Sequence, residues 1–126
     1  MTTPTPVRGQ LDLPLMPSPV ALTTAILRRR SAPGWQQRAL CADGDPETWF
    51  PDATDDEGID RAKATCRICP VARCCLAAAL VDAEQGVWGQ TSDTDRHFAR
   101  TDLCAGVPVD QVLDHYTNPA EWRQTA

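Results

Sequence analysis

Positive charge is scarce in this chain: 12 Lys and Arg stand against 17 Asp and Glu, a formal net charge of −5. Affinity for nucleic acid rests largely on Lys and Arg neutralising phosphates. Strong independent DNA binding is therefore disfavoured, and a protein partner is the better expectation. Long apolar runs are missing too. No window approaches the ~18–20 apolar residues of a membrane span. No apolar stretch follows a basic start, as it would in a secretory leader. The expectation is a cytoplasmic protein. Strand-like alternation and internal repeats are also absent. Large apolar side chains are few, and aromatics make up only 6% of the 126 residues. Such a length gives one domain at most, since domains commonly run to about 100–150 residues. A core that small is often stapled by a metal or by disulfides.

Cysteine is what the chain does have, six in all. In a reducing compartment that number argues for metal or redox chemistry over structural disulfides. Proline comes next. Residues 1–33 hold six prolines, Pro4, Pro6, Pro14, Pro17, Pro19 and Pro33. Proline fixes φ and removes an amide donor. Residues 1–33 are therefore expected to be a disordered N-terminal segment, with a candidate short helix at Pro19–Arg30. Residues 34–100 are expected to form the compact domain. Residues 101–126 read as an acidic helical tail, with Asp102, Asp110, Asp114 and Glu121 against Arg123. Residues 43–60 carry eight acids and no base.

The expected fold is all-α, a small domain of four to five short helices. Trp35–Leu40 forms a short helix leading to Cys41. A loop runs from Cys41 to Asp56, marked by Asp43-Gly44, Pro46 and Pro51. Gly58–Thr65 is helical and delivers Cys66. The clearest helix covers 70–83, with Pro70 at its first position. Ala72, Leu76, Ala77, Ala78, Ala79 and Leu80 are strong helix formers. Leu76, Leu80 and Ala83 share one face, and Gly86 is the expected stop. A further helix starts after a Thr91 or Ser92 cap, with Asp93 and Asp95 in its first turn. Weaker helical stretches fall at Val109–Tyr116 and Pro119–Arg123.

The unit that carries chemistry is Cys66-Arg-Ile-Cys69-Pro-Val-Ala-Arg-Cys74-Cys75. Two cysteines separated by two residues can face one metal centre. Cys75 lies on the following helix, where its side chain can return over the same site. Cys41 arrives from a remote loop as a fourth ligand. Four thiolates suit zinc and an iron–sulfur cluster alike. Zinc knuckles usually pair two CxxC units, so the spacing here leans towards the cluster. Arg67, Arg73 and the helix N-terminus at Cys69–Pro70 are the nearby positive features. Trp49, Phe50, Val71 and Trp88 are candidates for the apolar shell. Cys74 lies about 100° round the helix. It reads as a small packed side chain or as a resolving thiol when the cluster is lost. Cys104 reads as free, and His97 and His115 as surface residues. Arg96 and Arg100 lie on one helix face, which reads as solvated.

The order Trp35, Cys41, Asp45-Pro46-Glu47-Thr48-Trp49-Phe50-Pro51, Cys66-x-x-Cys69-Pro70-Val71, Cys75-Leu76, Gly86-Val87-Trp88-Gly89 resembles the WhiB-like family of actinobacteria and their phages. The resemblance covers roughly residues 35–100. It implies a [4Fe–4S] cluster on Cys41, Cys66, Cys69 and Cys75, sensitive to oxygen and nitric oxide. It implies a transcription regulator that docks on the C-terminal region of the primary sigma factor, and no enzyme. Trp49, Phe50, Gly86, Val87, Trp88 and Gly89 would then form the partner-binding set. Gly86 and Gly89 would bracket a turn that presents Val87 and Trp88. The sequence departs from the family in two places. Gln90 stands where the family turn ends in a second glycine. The tail is acidic where many members have a basic, DNA-contacting one, so DNA is the weaker expected partner. Two rivals stay open: a thiol–disulfide reductase using Cys66 and Cys69, and a zinc-held interaction module.

Overall fold

The fold is taken from a computed structural model that describes residues 19–31 and 33–117. Among these residues the chain forms five α-helices and no strands. Helix α1, Pro19–Arg30, begins on a proline, whose missing amide costs nothing at a helix start. It ends on Arg28, Arg29 and Arg30, which suit the negative end of the helix dipole. Its buried residue is Leu27, which joins the core with α3 and α5. The candidate short helix at Pro19–Arg30 is thus present, and over those residues the chain is ordered. Residues 1–18 and the candidate helix Pro119–Arg123 lie outside the described residues.

The expected loop from Cys41 to Asp56 is not irregular throughout. Three single 3₁₀ turns, Trp35–Arg38, Leu40–Asp43 and Pro46–Trp49, wind the chain past Cys41. Asp45 starts the third by accepting the Glu47 amide at 3.0 Å. Helix α2, Asp56–Arg67, is capped by Asp55, which accepts the Gly58 amide at 2.9 Å. It carries Cys66 in its last turn.

Helix α3, Ala72–Asp82, buries Ala72, Leu76, Ala77, Ala79 and Leu80. It starts two residues later than expected, and Pro70 sits in the turn before it. Its stop also differs. Ala83, not Gly86, ends the helix in the left-handed conformation at φ 53°, and the Glu84 amide reaches back to the Ala79 carbonyl at 3.3 Å. That closure satisfies a last-turn carbonyl locally, before the chain arrives at Gly86.

Helix α4, Asp93–Cys104, opens on a full capping box, with Ser92 and Asp95 each bonding the other's amide. Lys63 on α2 ties to the same Asp95 at 2.7 Å. Burial works to raise the Asp95 carboxyl, but Lys63 and Ser92 outweigh it and hold it below its ordinary value. Helix α5, Val109–Thr117, buries Val109, Val112 and Leu113 at i, i+3, i+4 spacing. Leu27, Leu76, Leu80, Ala99, Val112 and Leu113 form the hydrophobic core. α3 is therefore central, with α1 and α5 packed on one side.

The acidic tail is not an unpaired charge run. Arg30 grips Asp110 through two bonds of 2.7 and 2.9 Å. Arg73 reaches Asp110 at 2.9 Å and Asp114 at 3.0 Å. Arg30 and Arg73, bonding it directly, hold the Asp110 carboxyl far below its usual range. Arg73 therefore turns towards α5, which removes it from the cations expected beside the cysteines.

Candidate functional site

On the other side of α3 the packing stops short. A cavity of about 380 Å³ opens there, and Cys41, Cys66, Cys69 and Cys75 all line it. Each comes from a different local structure. Cys41 sits in the Leu40–Asp43 turn and Cys66 at the end of α2. Cys69 follows in the connecting turn, its amide bonded to the Cys66 carbonyl at 3.1 Å. Cys75 stands on the first turn of α3. Cys74 is half-buried and outside the lining, and Cys104 is exposed. His97 and His115 are exposed on α4 and α5.

Tryptophans make the walls. Trp35, Trp49 and Trp88 line the cavity, and Trp35 meets Trp88 edge-on with centroids 6.4 Å apart. Trp35 is the wall residue whose role the sequence reading missed. Its signal was a large aromatic six residues before Cys41. Trp88 is held by its Nε1 donating to the Gln85 carbonyl at 2.8 Å. Trp49 Nε1 is buried and has no acceptor among the described residues. Val71 is buried but lies outside the lining.

The glycine-rich turn closes the cavity from above α3. Trp88 and Thr91 exchange two backbone bonds of 2.9 Å. The residues between them, Gly89 and Gln90, both have positive φ, 54° and 71°. That pattern belongs to the tight primed turns of hairpins. The turn is thus centred on Gly89-Gln90 rather than bracketed by Gly86 and Gly89. A Cβ at Gly89 would come 2.5 Å from the Ala72 carbonyl and 2.6 Å from the Leu76 amide. Only glycine lets the turn lie this close on α3. A Cβ at Gly86 would strike the Trp49 carbonyl and the Phe50 ring. The same contact is fixed by the Val87 amide donating to Trp49 oxygen at 2.7 Å.

The six expected partner-binding residues are therefore brought together, but not all face outwards. Phe50 is 57% exposed, whereas Val87 is buried. Val87 is a packing residue, which corrects the expectation that the turn presents it. Gly89 is buried as well. Leu40 and Ile68, chain neighbours of Cys41 and Cys69, add apolar surface at 47% and 75% exposure.

Burial makes Cys41, Cys66 and Cys75 harder to ionise than a free cysteine. Burial pushes Cys75 well up from its ordinary value, with the like charges of its cysteine neighbours adding to it. Burial also raises Cys66 and Cys41, each reinforced by Cys69. Opposing this, the Gly89 and Gln90 amides donate towards Cys66, and the Gly89 amide towards Cys75. Donors aimed at sulfur favour the thiolate form.

Arg96 overturns the reading of a solvated face. It is fully buried under the turn. Its Nη1 donates to Thr91 oxygen at 2.8 Å and to the Thr91 hydroxyl at 3.0 Å. Its Nη2 donates to the carbonyls of Glu84 and Gly86 and to Asp93, at 3.1, 2.6 and 2.6 Å. Arg100 also turns inwards, to the Ala79 carbonyl at 3.2 Å.

Comparison with known proteins agrees with this arrangement. The family model described as "Transcription factor WhiB" matches residues 35–98. A transcriptional regulator WhiB of Streptomyces coelicolor is 46% identical over 65 residues, covering 50% of this chain and 71% of that protein. A WhiB2 regulator of Mycolicibacterium smegmatis is 37% identical over 97 residues, covering 75% of this chain and 70% of that protein. No solved structure matches. With the family model spanning Trp35 through Phe98, and so the four cavity cysteines and the turn over them, the chain belongs to the WhiB family of transcription factors.

Proposed function

We propose that Cys41, Cys66, Cys69 and Cys75 hold a [4Fe–4S] cluster. On this reading the chain is a cytoplasmic, redox- or nitric-oxide-responsive transcription regulator that docks on the primary sigma factor. One observation carries the proposal: all four thiols line a single cavity of about 380 Å³. A lone zinc ion with bonds of ~2.3 Å would draw its four sulfurs to about 3.8 Å from one another. Among the described residues no group of three or more His, Cys, Asp or Glu is placed to hold a single metal ion, so the gap suits a larger centre better. The donor set is soft, as iron–sulfur ligation requires. The buried, unpartnered Nε1 of Trp49 and the turn amides supply hydrogen bonds that an anionic cluster can accept. Bound there, the cluster would supply electron uptake and reactivity towards oxygen and nitric oxide. The tryptophans would keep water from it.

Docking on a protein partner is supported by Phe50, Leu40 and Ile68, which stay exposed beside the site. Exposed aromatics of this kind anchor interfaces. Weak or absent DNA binding follows from where the cations go. Arg30, Lys63, Arg73, Arg96 and Arg100, five of the 12 bases, already bond groups within the fold. No helix among the described residues is long and apolar enough to cross a membrane. A reductase needs a thiol with a lowered pKa, and Cys66 and Cys75 are raised instead.

The test is purification without oxygen followed by iron, sulfide and zinc analysis. About four irons and four sulfides per chain are expected for a [4Fe–4S] cluster, with binding to sigma by the loaded form alone. Zinc near one per chain, without colour, would sink the reading.

A further inference from the structure

A guanidinium withdrawn from water must be paired or its desolvation goes uncompensated. Arg96 is the largest fully buried side chain among the described residues. Among the described residues its one carboxylate partner is Asp93, with a side chain 64% exposed. That partner is largely in water, which weakens its field at Arg96 without removing it. The remaining contacts are neutral: the Glu84, Gly86 and Thr91 carbonyls and the Thr91 hydroxyl. The positive charge under the turn is therefore incompletely offset. The same contacts orient the segment. The Glu84 and Gly86 carbonyls before the Trp88–Thr91 turn and the Thr91 carbonyl at its end are drawn to Arg96. Gly89, at its centre, lines the same cavity as Cys66 and Cys75. The turn itself rests on α3 at Leu76, next to Cys75.

We propose that Arg96 is a positioning residue for the cysteine site, holding the Gly89–Gln90 turn over the cavity and raising the reduction potential of the cluster with its buried charge. This rests on the cluster reading above. Uptake of one electron from an external reductant adds one negative charge to the site, with no bond made or broken. A fixed cation in a low-dielectric setting stabilises the more negative state. Hydrogen bonds to the sulfurs and nearby charge both set cluster potentials.

The test is a dithionite titration of the loaded, full-length protein, followed by electron paramagnetic resonance, with iron counted in each sample. Arg96→Gln is expected to disfavour reduction about tenfold, a shift of ~59 mV to more negative potential for one electron. Asp93→Asn keeps an oxygen for Arg96 and for the Gly86 amide but removes the opposing charge, so its potential should rise. Arg96→Lys keeps the charge without the fork of donors and should fall between wild type and Arg96→Gln. Shifts of opposite sign in Arg96→Gln and Asp93→Asn are what a purely structural role does not produce. Potentials unmoved in both, or moved the same way, would overturn the inference and leave the cluster reading intact. If Arg96→Gln does not load, Asp93→Asn decides alone: a rise supports the inference and no rise overturns it. Wild-type protein without iron would instead overturn the cluster reading, and this inference with it.

Discussion

On one side of α3, Leu76, Ala77 and Leu80 are buried against Leu27, Val112 and Leu113. On the other side Ala72, Cys75 and Ala78 face a cavity of about 380 Å³. The first half is closed by its own side chains and by ion pairs between its helices. The second half is assembled from short 3₁₀ turns, a glycine-tight hairpin turn and three tryptophans around a gap. A wall around a gap lacks contact partners on one side. The helical half should therefore be stable alone, and the cysteine half should depend on what fills it.

The sharpest way to break that comparison is to keep the cavity empty. Cys75→Ser should abolish cofactor loading, measured as iron per chain, because it removes one of four thiols without altering the core side of α3. Amide exchange should then quicken in Leu40–Asp43, Pro46–Trp49 and the Trp88–Thr91 turn, while α5 keeps its protection. Equal loss of protection in both halves would show that they fold as one unit.

The converse change strikes the helical half. Leu113 is fully buried in the core. Leu113→Ala should cost about 2–5 kcal/mol, read by denaturant unfolding. Its cost should be similar with and without the cofactor. A cost that grows sharply in the loaded protein would mean that the core and the cavity are coupled through α3.

A smaller change sharpens the turn. Gln90 holds φ 71°, a region that disfavours side chains, and its buried Nε2 has no partner among the described residues. The left-handed conformation costs a non-glycine residue about 1–2 kcal/mol. Glycine gives back about 0.5–1 kcal/mol through the unfolded chain. Gln90→Gly should therefore stabilise the protein by roughly 0.5–1 kcal/mol, visible as a higher midpoint in urea. The departure from the family's second glycine is thus a strained position, which the sequence reading had singled out without its backbone reason.

Local signals were legible in the sequence. The alanine-rich run gave α3, the Ser92–Asp95 pair gave the start of α4, and cysteine spacing gathered the four thiols of the cavity. What escaped depends on partners remote in the chain. α1 shows one buried residue, Leu27, so its sequence carries little amphipathic signal. Its place is set by α3 and α5. Arg96 looks like half of an i, i+4 solvated pair until the turn brings the Glu84 carbonyl, 12 residues away, beneath it. Asp110 looks like a tail charge, yet its partner Arg30 is 80 residues distant. Trp88 is both wall and surface, which no local pattern separates.

The smallest expected effect tests how α1 is held. Asp110 joins Arg30 on α1 and Arg73 on α3 to α5. These side chains are well exposed, and exposed pairs contribute little. Asp110→Asn should lower the thermal midpoint slightly at neutral pH and low salt. The difference should shrink at high salt, where the Debye length is short. The acid limb gives the sign. The folded-state pKa of Asp110 is depressed by Arg30 and then Arg73, so its contribution is present above the unfolded value of ~3.9 and is lost as pH falls below it. Wild type and Asp110→Asn should therefore converge in acid, with the variant the less steep. Through all of this α1 should keep its amide protection, because Leu27 and Ile26 pack into the core. If α1 instead exchanges freely in Asp110→Asn, charge rather than burial holds the N-terminal helix. The helical half would then be salt-sensitive, and its contrast with the cavity half would rest on weaker ground.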